Sequence, residues 1–334
     1  MDRLELIEQL IKGNYENIIA ADASMKPLSG KNLFDKSPII DYLKTHPDLF
    51  LGFHIVDGMN TISLIGETSE GLIIKVSFKN NLIQKIVVKR PEVGISRIKM
   101  IVEYDGTEYC GFQRQSNLKT IQSILEEALF TITGTPTIIN GASRTDTGVH
   151  ALGQVIHFDT LLKIDIEKWP IIMNNILPKA IRIKSAMQVS QLFHSRFDVA
   201  YKEYCYILNL GEYSPFSRLY EWTISYSIDL ERFEKELKKL EGTHDFTSFC
   251  KGEKTSKIRT IYETRLKKDG NKIFVSFIGD GFLHNMIRII MAVLVNLSSG
   301  QLEGDVDTIL TSKSRKITNR LAPSSGLYLV KVQY

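Results

Sequence analysis

Cysteine and long apolar runs are both scarce in this 334-residue sequence. The three cysteines, Cys110, Cys205 and Cys250, lie far apart and form no CxxC pair, which excludes a disulfide framework and a zinc ribbon. The longest apolar run, at 289–297, is much shorter than the roughly 20 residues of a membrane-spanning helix. The N-terminus has acidic residues where a secretory signal would have basic ones. These absences predict a cytosolic protein with no structural metal and no membrane segment.

Charge of one sign is in only small excess, with 42 Lys and Arg against 38 Asp and Glu. Residues 1–97 contain twelve basic and twelve acidic side chains, so the whole excess lies after residue 97. Basic clusters in that part could meet phosphates, although a solvated surface is the more common explanation for charge runs of this size. The clusters are Lys238 and Lys239; Lys251, Lys254, Lys257 and Arg259; and Lys313, Arg315, Lys316 and Arg320.

The first 95 residues are predicted to form a separate small α+β unit, because a strand-like run meets a proline and a glycine at 90–96. Its pattern predicts helices at 4–11 and 37–45 with a polar loop between them. Strands are predicted within 61–68, 71–80 and 82–90, the last two joined by a turn at Asn80 and Asn81. This order is similar to the cone-shaped rolls of nuclear-transport-factor-two-like proteins. His46 and His54 are isolated and indicate no catalytic site, which leaves a small-molecule pocket or a dimerisation surface as the possible role of this unit.

After residue 97 the order strand, helix, strand, strand occurs twice, which divides the chain into 96–200 and 201–334. The first copy has strands at 98–104, 137–140 and 154–158 and a helix at 120–133 with Thr120 as its N-cap. The second has strands at 201–208, 261–268 and 272–279, the last two turning at Asp269 and Gly270, and helices at 230–240 and 282–297. A strand at 326–334 ends the chain. We expect an α+β fold in which two fused ferredoxin-like halves form a mixed or antiparallel sheet, flanked by helices, with a central cleft.

The most informative segment is GASRTDTGVHALGQVIHF at 141–158. Glycines on both sides of a polar cluster, between two strand patterns, predict a tight loop that presents Arg144, Asp146 and His150 at the end of a sheet. Taken alone, an aspartate in such a turn is more often an Asx-turn residue than a catalytic group.

This loop resembles the signature of the tRNA pseudouridine synthase A family. Further segments resemble that family in the same order along the chain, so the resemblance covers residues 98–334 and leaves out 1–97. These segments are 102–129, which includes GFQRQ at 111–115, then 174–186, 193–208, 244–251, 281–294 and 322–334.

The resemblance implies an isomerase that converts uridine to pseudouridine at positions 38, 39 and 40 of the tRNA anticodon stem-loop. It also implies a homodimer in the cytoplasm, with no metal and no cofactor. The reaction breaks the bond from ribose C1′ to N1 and joins C1′ to C5, so an ionised carboxylate acting as nucleophile or base suffices. The alternative is a non-catalytic RNA-binding or tRNA-folding protein on the same scaffold. Retention of Asp146, Arg196 and Tyr204 together favours the enzyme.

The resemblance also implies the roles of individual residues. Asp146 is expected to be the catalytic carboxylate, and Arg196 the guanidinium that pairs with it and lowers its pKa. Tyr204 is expected to stack on the flipped base and assist at C5, with an ordinary strand core residue as the alternative. Arg144 is expected to displace the target nucleotide from its stack, with a simple phosphate contact as the alternative.

Six more residues are expected to contact the RNA. Leu327 would pack against the target base, and Arg288 would meet phosphate at the start of a helix that also carries His284. A core leucine at 327 and a structural histidine at 284 are the alternatives. The six residues are Gln113, Arg114, Phe282, His284, Arg288 and Leu327.

Deletion of residues 1–97 is expected to leave catalysis largely intact.

Overall fold

The structure is a computed structural model that describes residues 3–27, 31–46, 49, 53–58, 61–66, 72–79, 82–90, 92–251 and 256–334. For residues 3, 4, 53–58, 61–66, 73 and 79 it describes the backbone alone. Within these ranges the chain is α+β, with seven α-helices and two separate sheets. No helix in the described part combines the length and the apolar character needed to span a membrane. The expected turn at Asn80 and Asn81, and Lys254, lie outside the described residues.

The first sheet has six strands in the order β2-β1-β6-β5-β4-β3, with β1 parallel to β6 and every other pair antiparallel. Two helices pack on it, α1 (Arg3–Ile11) and α2 (Lys36–Thr45). Buried apolar residues of α1, α2, β1, β5 and β6 form one core, in which each fully buried Ile or Leu contributes about 1.5–3 kcal/mol. The strands are β1 (Ile19–Lys26), β2 (Leu33–Phe34), β3 (Phe53–Gly58), β4 (Thr61–Gly66), β5 (Ile73–Lys79) and β6 (Leu82–Lys89).

The two helices and the last three strands of this unit agree with the sequence-based expectation. We expected a polar loop between the two helices. For residues 19–26 this expectation was wrong, because they form the strand β1. The strand β3 was also not expected. Ala20 and Ala23 provide much of the buried side of β1, and such small side chains give a weak alternation signal. The parallel partner β6, more than fifty residues later in the sequence, determines this strand.

The second sheet contains ten strands in the order β10-β7-β9-β16-β11-β15-β14-β13, with β8 paired to β9 and β12 paired to β11. Its pairs are antiparallel except for β9 with β16 and β11 with β12. The strands are β7 (Ser96–Tyr104), β8 (Asn140–Gly141), β9 (His150–Thr160), β10 (Ile181–Val189), β11 (Tyr201–Asn209), β12 (Trp222–Thr223), β13 (Gly242–Asp245), β14 (Ile258–Asp269), β15 (Lys272–Gly279) and β16 (Leu327–Gln333).

The same strand order occurs in both halves of this sheet. The first half runs β10-β7-β9-β8 and the second runs β16-β11-β15-β14, so in each the last of these four strands along the chain lies beside the first. The halves meet at the parallel pair β9 and β16, where Tyr328 lies opposite His150 and Leu329 opposite Ala151. Because the polar loop ends at β9 and Leu327 begins β16, this seam brings the two segments together. The helices are α3 (Ile121–Thr133), α4 (Lys168–Ile176), α5 (Leu230–Lys238), α6 (Met286–Ser298) and α7 (Val306–Ser312).

Several boundaries differ from the expectation for physical reasons. The expected strand at 137–140 is reduced to β8, because the Ile139 amide donates to the Glu126 carboxylate of α3 at 3.0 Å. The hairpin turns at Gly270 and Asn271, one residue later than expected. The helices α4 and α7 and the strand β10 were not expected. The expected N-cap Thr120 is confirmed, since its side chain accepts from the Ser123 amide at 3.2 Å.

Helix α6 is the central buried helix of the second unit. Every one of its residues is buried except Arg288, which is half-buried. It begins at Met286 and not at residue 282, because Asn285 has a φ of 61° and so lies in the left-handed region. A guanidinium on the first turn of an otherwise apolar helix is therefore held in a fixed position at the edge of the core.

Candidate active site

The polar loop between β8 and β9 is held firmly in place. Gly148 has a φ of 76°, and a Cβ on it would lie 2.6 Å from Ser324 Oγ. On the other side, the Phe112 amide donates to the Thr145 carbonyl at 3.0 Å, and the Tyr104 and Thr145 hydroxyls lie 2.7 Å apart. Asp146 is consequently presented from a rigid backbone. His150, expected to be presented with it, is instead buried and lies 3.0 Å from the Leu219 carbonyl.

A pocket of about 650 Å³ opens at this loop, between the two halves of the second sheet. Nine of the ten expected site residues line it, from both halves, and this volume is within the range of small-molecule pockets. Its lining includes Gln113, Ser143, Arg144, Asp146, Arg196, Lys202, Tyr204, Phe282, His284, Arg288 and Leu327.

Asp146 lies between the side chains of His284 and Arg288. Its Oδ1 is 3.6 Å from His284 Nε2 and its Oδ2 is 3.8 Å from Arg288 Nη1. Its side chain is 21% exposed, and this burial raises the pKa of the carboxyl above its ordinary value, although His284, Arg288 and Lys251 act in the opposite direction. The carboxylate is therefore partly desolvated, which increases its reactivity, and the guanidinium of Arg288 favours its charged form.

The expected ion pair between Arg196 and Asp146 was wrong. Arg196 lines the pocket, but no carboxylate among the described residues is within 4 Å of its guanidinium, and burial followed by Arg144 lowers its pKa. Arg288 is instead the arginine that pairs with Asp146, because α6 begins beside the polar loop. Its Nε donates to the Ala322 carbonyl at 2.8 Å, which fixes the guanidinium. The feature of the sequence that could have indicated this role is that Arg288 is the single charged residue of an apolar helix.

Tyr204 lies at the floor of the pocket and is 6% exposed. Its hydroxyl is 2.6 Å from Ser143 Oγ in the polar loop, and its ring lies edge-to-face with Phe282 at 5.1 Å between centroids. Burial raises the pKa of this tyrosine to about 12, so the hydroxyl stays protonated at neutral pH. Leu327, 5% exposed, also lines the pocket. The side chains of Tyr204 and Leu327 therefore pack in the core and also line the pocket.

Lys202 is a pocket residue that was not predicted from the sequence. It lines the pocket, and its Nζ donates to the Ala142 carbonyl at 2.7 Å. Burial, followed by Arg196, Arg259 and Arg144, lowers its pKa to about 8. Strand alternation could have indicated that Lys202 lines the pocket, because it puts Lys202 on the same face of β11 as Tyr204.

Three expected residues are positioned differently from the prediction. Arg114 lies outside the pocket, because its Nη2 pairs with Glu126 Oε2 at 2.7 Å and it lines a neighbouring groove. Phe282 and His284 lie in the turn before α6 and not in the helix. The side chain of His284 is 61% exposed, which argues against a structural histidine in the core.

Across the described ranges no three His, Cys, Asp or Glu side chains come together as metal ligands would, and we assign no metal to the pocket.

Most members of the basic clusters make contacts within the protein. Lys239 is within 3.1 Å of Glu236, Asp305 and Asp307, and Lys238 pairs with Glu241 at 2.7 Å. In the last cluster, Lys313 pairs with Asp245, Arg315 donates to Thr318 and Arg320 to Asn296. In the middle cluster, Lys251 is close enough to lower the pKa of Asp146. This middle cluster is thus the one adjoining the pocket.

Comparison with known proteins identifies the second unit. The model of a family described as tRNA pseudouridine synthase matches residues 100–198 and 237–334. The tRNA pseudouridine synthase A of Anoxybacillus flavithermus is 42% identical over 242 residues, which are 71% of this chain and 98% of that protein. The protein of the same name from a Thermoanaerobacter species is 43% identical over 241 residues, 71% of this chain and 99% of that protein.

Comparison with solved structures gives a weaker match. A solved NTF2-like protein of unknown function from Cytophaga hutchinsonii matches 26% of this chain and 93% of its own, at 13% identity and a TM-score of 0.21. We draw no argument from a match at that score. By contrast, the family model covers residues of eight of the ten strands of the second sheet, all except β11 and β12, and it includes the loop that carries Asp146. The chain belongs to the tRNA pseudouridine synthase family, a family of isomerases.

Proposed function

We propose that this enzyme isomerises uridine to pseudouridine at positions 38, 39 and 40 of the tRNA anticodon stem-loop, with Asp146 as nucleophile or base. The observation that carries the proposal is the position of Asp146. Its carboxylate lies half-buried between His284 and Arg288, in a pocket that also contains Tyr204 and Leu327. A partly desolvated carboxylate beside a guanidinium and an imidazole, next to an aromatic ring and an apolar side chain, suits attack on a flipped nucleoside.

In the proposed reaction the ribose C1′–N1 bond breaks, the freed uracil turns, and C1′ joins C5. The C5 proton leaves and N1 gains a proton, so the product is an isomer and no electrons are exchanged. Asp146 acts by attacking C1′ or by removing the C2′ proton. Arg288 and His284 hold its charge and orientation.

Tyr204 and Leu327 form the proposed binding surface for the extruded base. In this proposal the Tyr204 ring stacks on uracil, and its hydroxyl, which lies 2.6 Å from Ser143 Oγ, assists at C5. Arg144 is exposed on the loop two residues before Asp146, where its planar cation can fill the gap left by the target base. Extrusion costs a few kcal/mol, which such stacking partly offsets.

The other cations of the pocket bind the RNA backbone in this proposal. Arg144, Arg196 and Lys202 are close together, since Arg144 lowers the pKa of Arg196 and both arginines lower the pKa of Lys202, and among the described residues no carboxylate lies within 4 Å of them. Such a group suits a phosphate near the flipped nucleotide. Gln113, Phe282 and His284 complete the rim of the pocket.

The proposal has three further parts. The repeated strand order suits two ferredoxin-like halves, 96–200 and 201–334, joined at the seam of β9 and β16. Residues 1–95 are proposed as an accessory unit of the nuclear-transport-factor-two-like type, given its two helices on a six-stranded sheet. We propose a cytoplasmic homodimer, so that one tRNA contacts both subunits.

The proposal is tested by mapping pseudouridine in anticodon stem-loop transcripts incubated with the protein and no added cofactor. The expected result is pseudouridine at 38, 39 and 40 with the wild-type protein, none with Asp146→Asn, and full activity with the exposed control Asp269→Asn. Pseudouridine at other positions would contradict the site preference. A wild-type protein that binds the transcript without modifying it would favour the RNA-folding alternative.

A further inference from the structure

We propose that the N-terminal unit positions Arg196 in the pocket, with Lys75 as the positioning residue. The inference rests on the function proposed above and assigns a role in positioning an RNA-binding residue to a part of the chain that the family model does not match. It also runs against the expectation that residues 1–97 are dispensable for catalysis. The connection runs from β5, through Asp198, to the turn that contains Arg196.

Lys75 points away from the core of its own unit. Ile74 and Val76, on either side of it, are fully buried in the N-terminal core, so strand alternation turns Lys75 to the opposite face. There its Nζ donates to the Leu192 carbonyl at 3.1 Å and pairs closely with Asp198 Oδ1. The two side chains are only 12% and 9% exposed. Such a desolvated ion pair is strongly coupled, because neither charge has water to replace its partner.

Asp198 transmits this contact to a closed turn. Its Oδ2 accepts from the His194 amide at 2.8 Å, and its own amide donates to the His194 carbonyl at 3.2 Å. Both bonds span the segment that has Arg196 at its centre. Without Lys75, Asp198 would be a buried carboxylate that has lost its counter-ion, and the hydrogen bonds that close the turn would change with it.

Arg196 depends on this turn for its position. The residue is exposed, its amide donates to His194 Nδ1 at 3.1 Å, and its guanidinium lies 5.7 Å from the centre of the Phe197 ring. Within the described ranges its guanidinium makes no hydrogen bond or ion pair. The backbone of 194–198 therefore decides where this cation stands in the pocket.

The synthase unit holds the neighbouring residue, Ser195, independently. The Ser195 hydroxyl donates to the Asn140 carbonyl at 2.7 Å, its amide donates to His157 Nδ1 at 3.1 Å, and the Tyr334 hydroxyl donates to its carbonyl at 2.5 Å. These bonds anchor one point of the turn. Lys75 and Asp198 anchor its other end, so loss of Lys75 is expected to misplace Arg196 without unfolding the turn.

The test compares Lys75→Met with Lys26→Met, a matched control at an exposed lysine of β1. Steady-state kinetics on the anticodon stem-loop transcript should show a loss of about tenfold in kcat/KM for Lys75→Met, mostly in KM, and none for Lys26→Met. Lys75→Arg should recover most of the loss, since it restores a cation. Unchanged kinetics for Lys75→Met would overturn the inference.

A second comparison separates positioning from a general structural role. In an Arg196→Ala background, Lys75→Met should cause less than about a twofold further loss, because the residue it positions is gone. An equal fold loss in both backgrounds would overturn the inference. If Lys75→Met does not fold, the neutral pair Lys75→Met with Asp198→Asn replaces it in both comparisons, with the same expected results. Asp146→Asn, run in parallel, tests the proposed function separately: its full activity would contradict that function and not the Lys75 contact.

Discussion

The six-stranded sheet and the ten-stranded sheet differ in what they bury. Among the described side chains, every fully buried polar or charged residue lies at or after Thr120, and the core of the N-terminal unit is entirely apolar. Burying a polar group is unfavourable unless it is hydrogen-bonded, so an apolar core is the simpler way to build a stable unit. The ten-stranded sheet instead positions buried polar groups around a pocket. The comparison indicates that the apolar core of the N-terminal unit serves stability and that the ten-stranded sheet is built for chemistry, with the N-terminal unit contributing to the pocket through the Lys75 contact outside its core.

The chemical side of this comparison is tested by Arg288→Gln, which should reduce activity more than the substitutions in the next three paragraphs. Loss of the guanidinium beside Asp146 is expected to lower the single-turnover rate by about a hundredfold to a thousandfold. Because Arg288 lowers the pKa of Asp146, its removal raises that pKa, and activity should decline at a higher pH than in the wild type as the pH falls. A pH–rate profile measures both effects. The control is Arg265→Gln, an exposed arginine paired with Glu263, and an equal loss there would contradict the assignment.

Tyr204→Phe should have the next largest effect. The change keeps the ring and removes the hydroxyl that contacts Ser143, so turnover should fall about tenfold, equivalent to about 1.4 kcal/mol, while transcript binding stays unchanged. Since the pKa of Tyr204 is about 12, the wild-type profile should show no loss from this group below pH 10. Binding that weakens as much as turnover would mean that Tyr204 only supports the core.

Lys202→Met is expected to have a smaller, pH-dependent effect. With a pKa of about 8, Lys202 is charged below that pH and neutral above it, so wild-type affinity for the transcript should weaken as the pH rises through 8. The variant should lack that change and show a salt dependence reduced by about one phosphate contact. Fluorescence titration at several pH and salt values measures this. A variant that keeps the same pH dependence would refute the role of Lys202.

The smallest effect on activity is expected from a cavity in the N-terminal core. Ile74→Ala should reduce the free energy of unfolding by about 2–5 kcal/mol yet leave kcat within about twofold below the unfolding transition. Ile290→Ala in α6 should be similarly destabilising and also slow turnover, because α6 carries Arg288. Thermal unfolding and kinetics on both variants make the comparison. Equal activity losses would contradict the division between the units.

The sequence predicted more of the ten-stranded sheet than of its detailed contacts. The glycines and the polar cluster of 141–158 located the loop, whereas the roles of Asp146 and Tyr204 came from the family resemblance, because strand alternation alone indicates an ordinary core tyrosine. The partner of Asp146 could not be read in the same way. Arg196 and Arg288 are both arginines near conspicuous motifs, and only the packing of α6 against a loop 142 residues earlier chooses between them. The helix start at Met286 likewise depends on the left-handed φ of Asn285, which asparagine adopts only in some contexts.

The N-terminal unit shows the opposite balance. Its helices and late strands have clear periodicity, whereas β1 has weak alternation and is determined by pairing with β6. Lys75 was not singled out, because a lysine in a strand usually faces solvent. Its burial against Asp198 depends on how two units meet, and no local pattern in either segment encodes that contact.

The most direct measurement is the single-turnover rate of Asp146→Asn with a bound anticodon stem-loop, alongside its affinity for the same RNA. Asparagine fills the same space without a negative charge, so the account predicts unchanged affinity and a rate reduced by about a thousandfold or more. A variant that binds normally and forms pseudouridine at a wild-type rate would show that the reacting carboxylate is not Asp146.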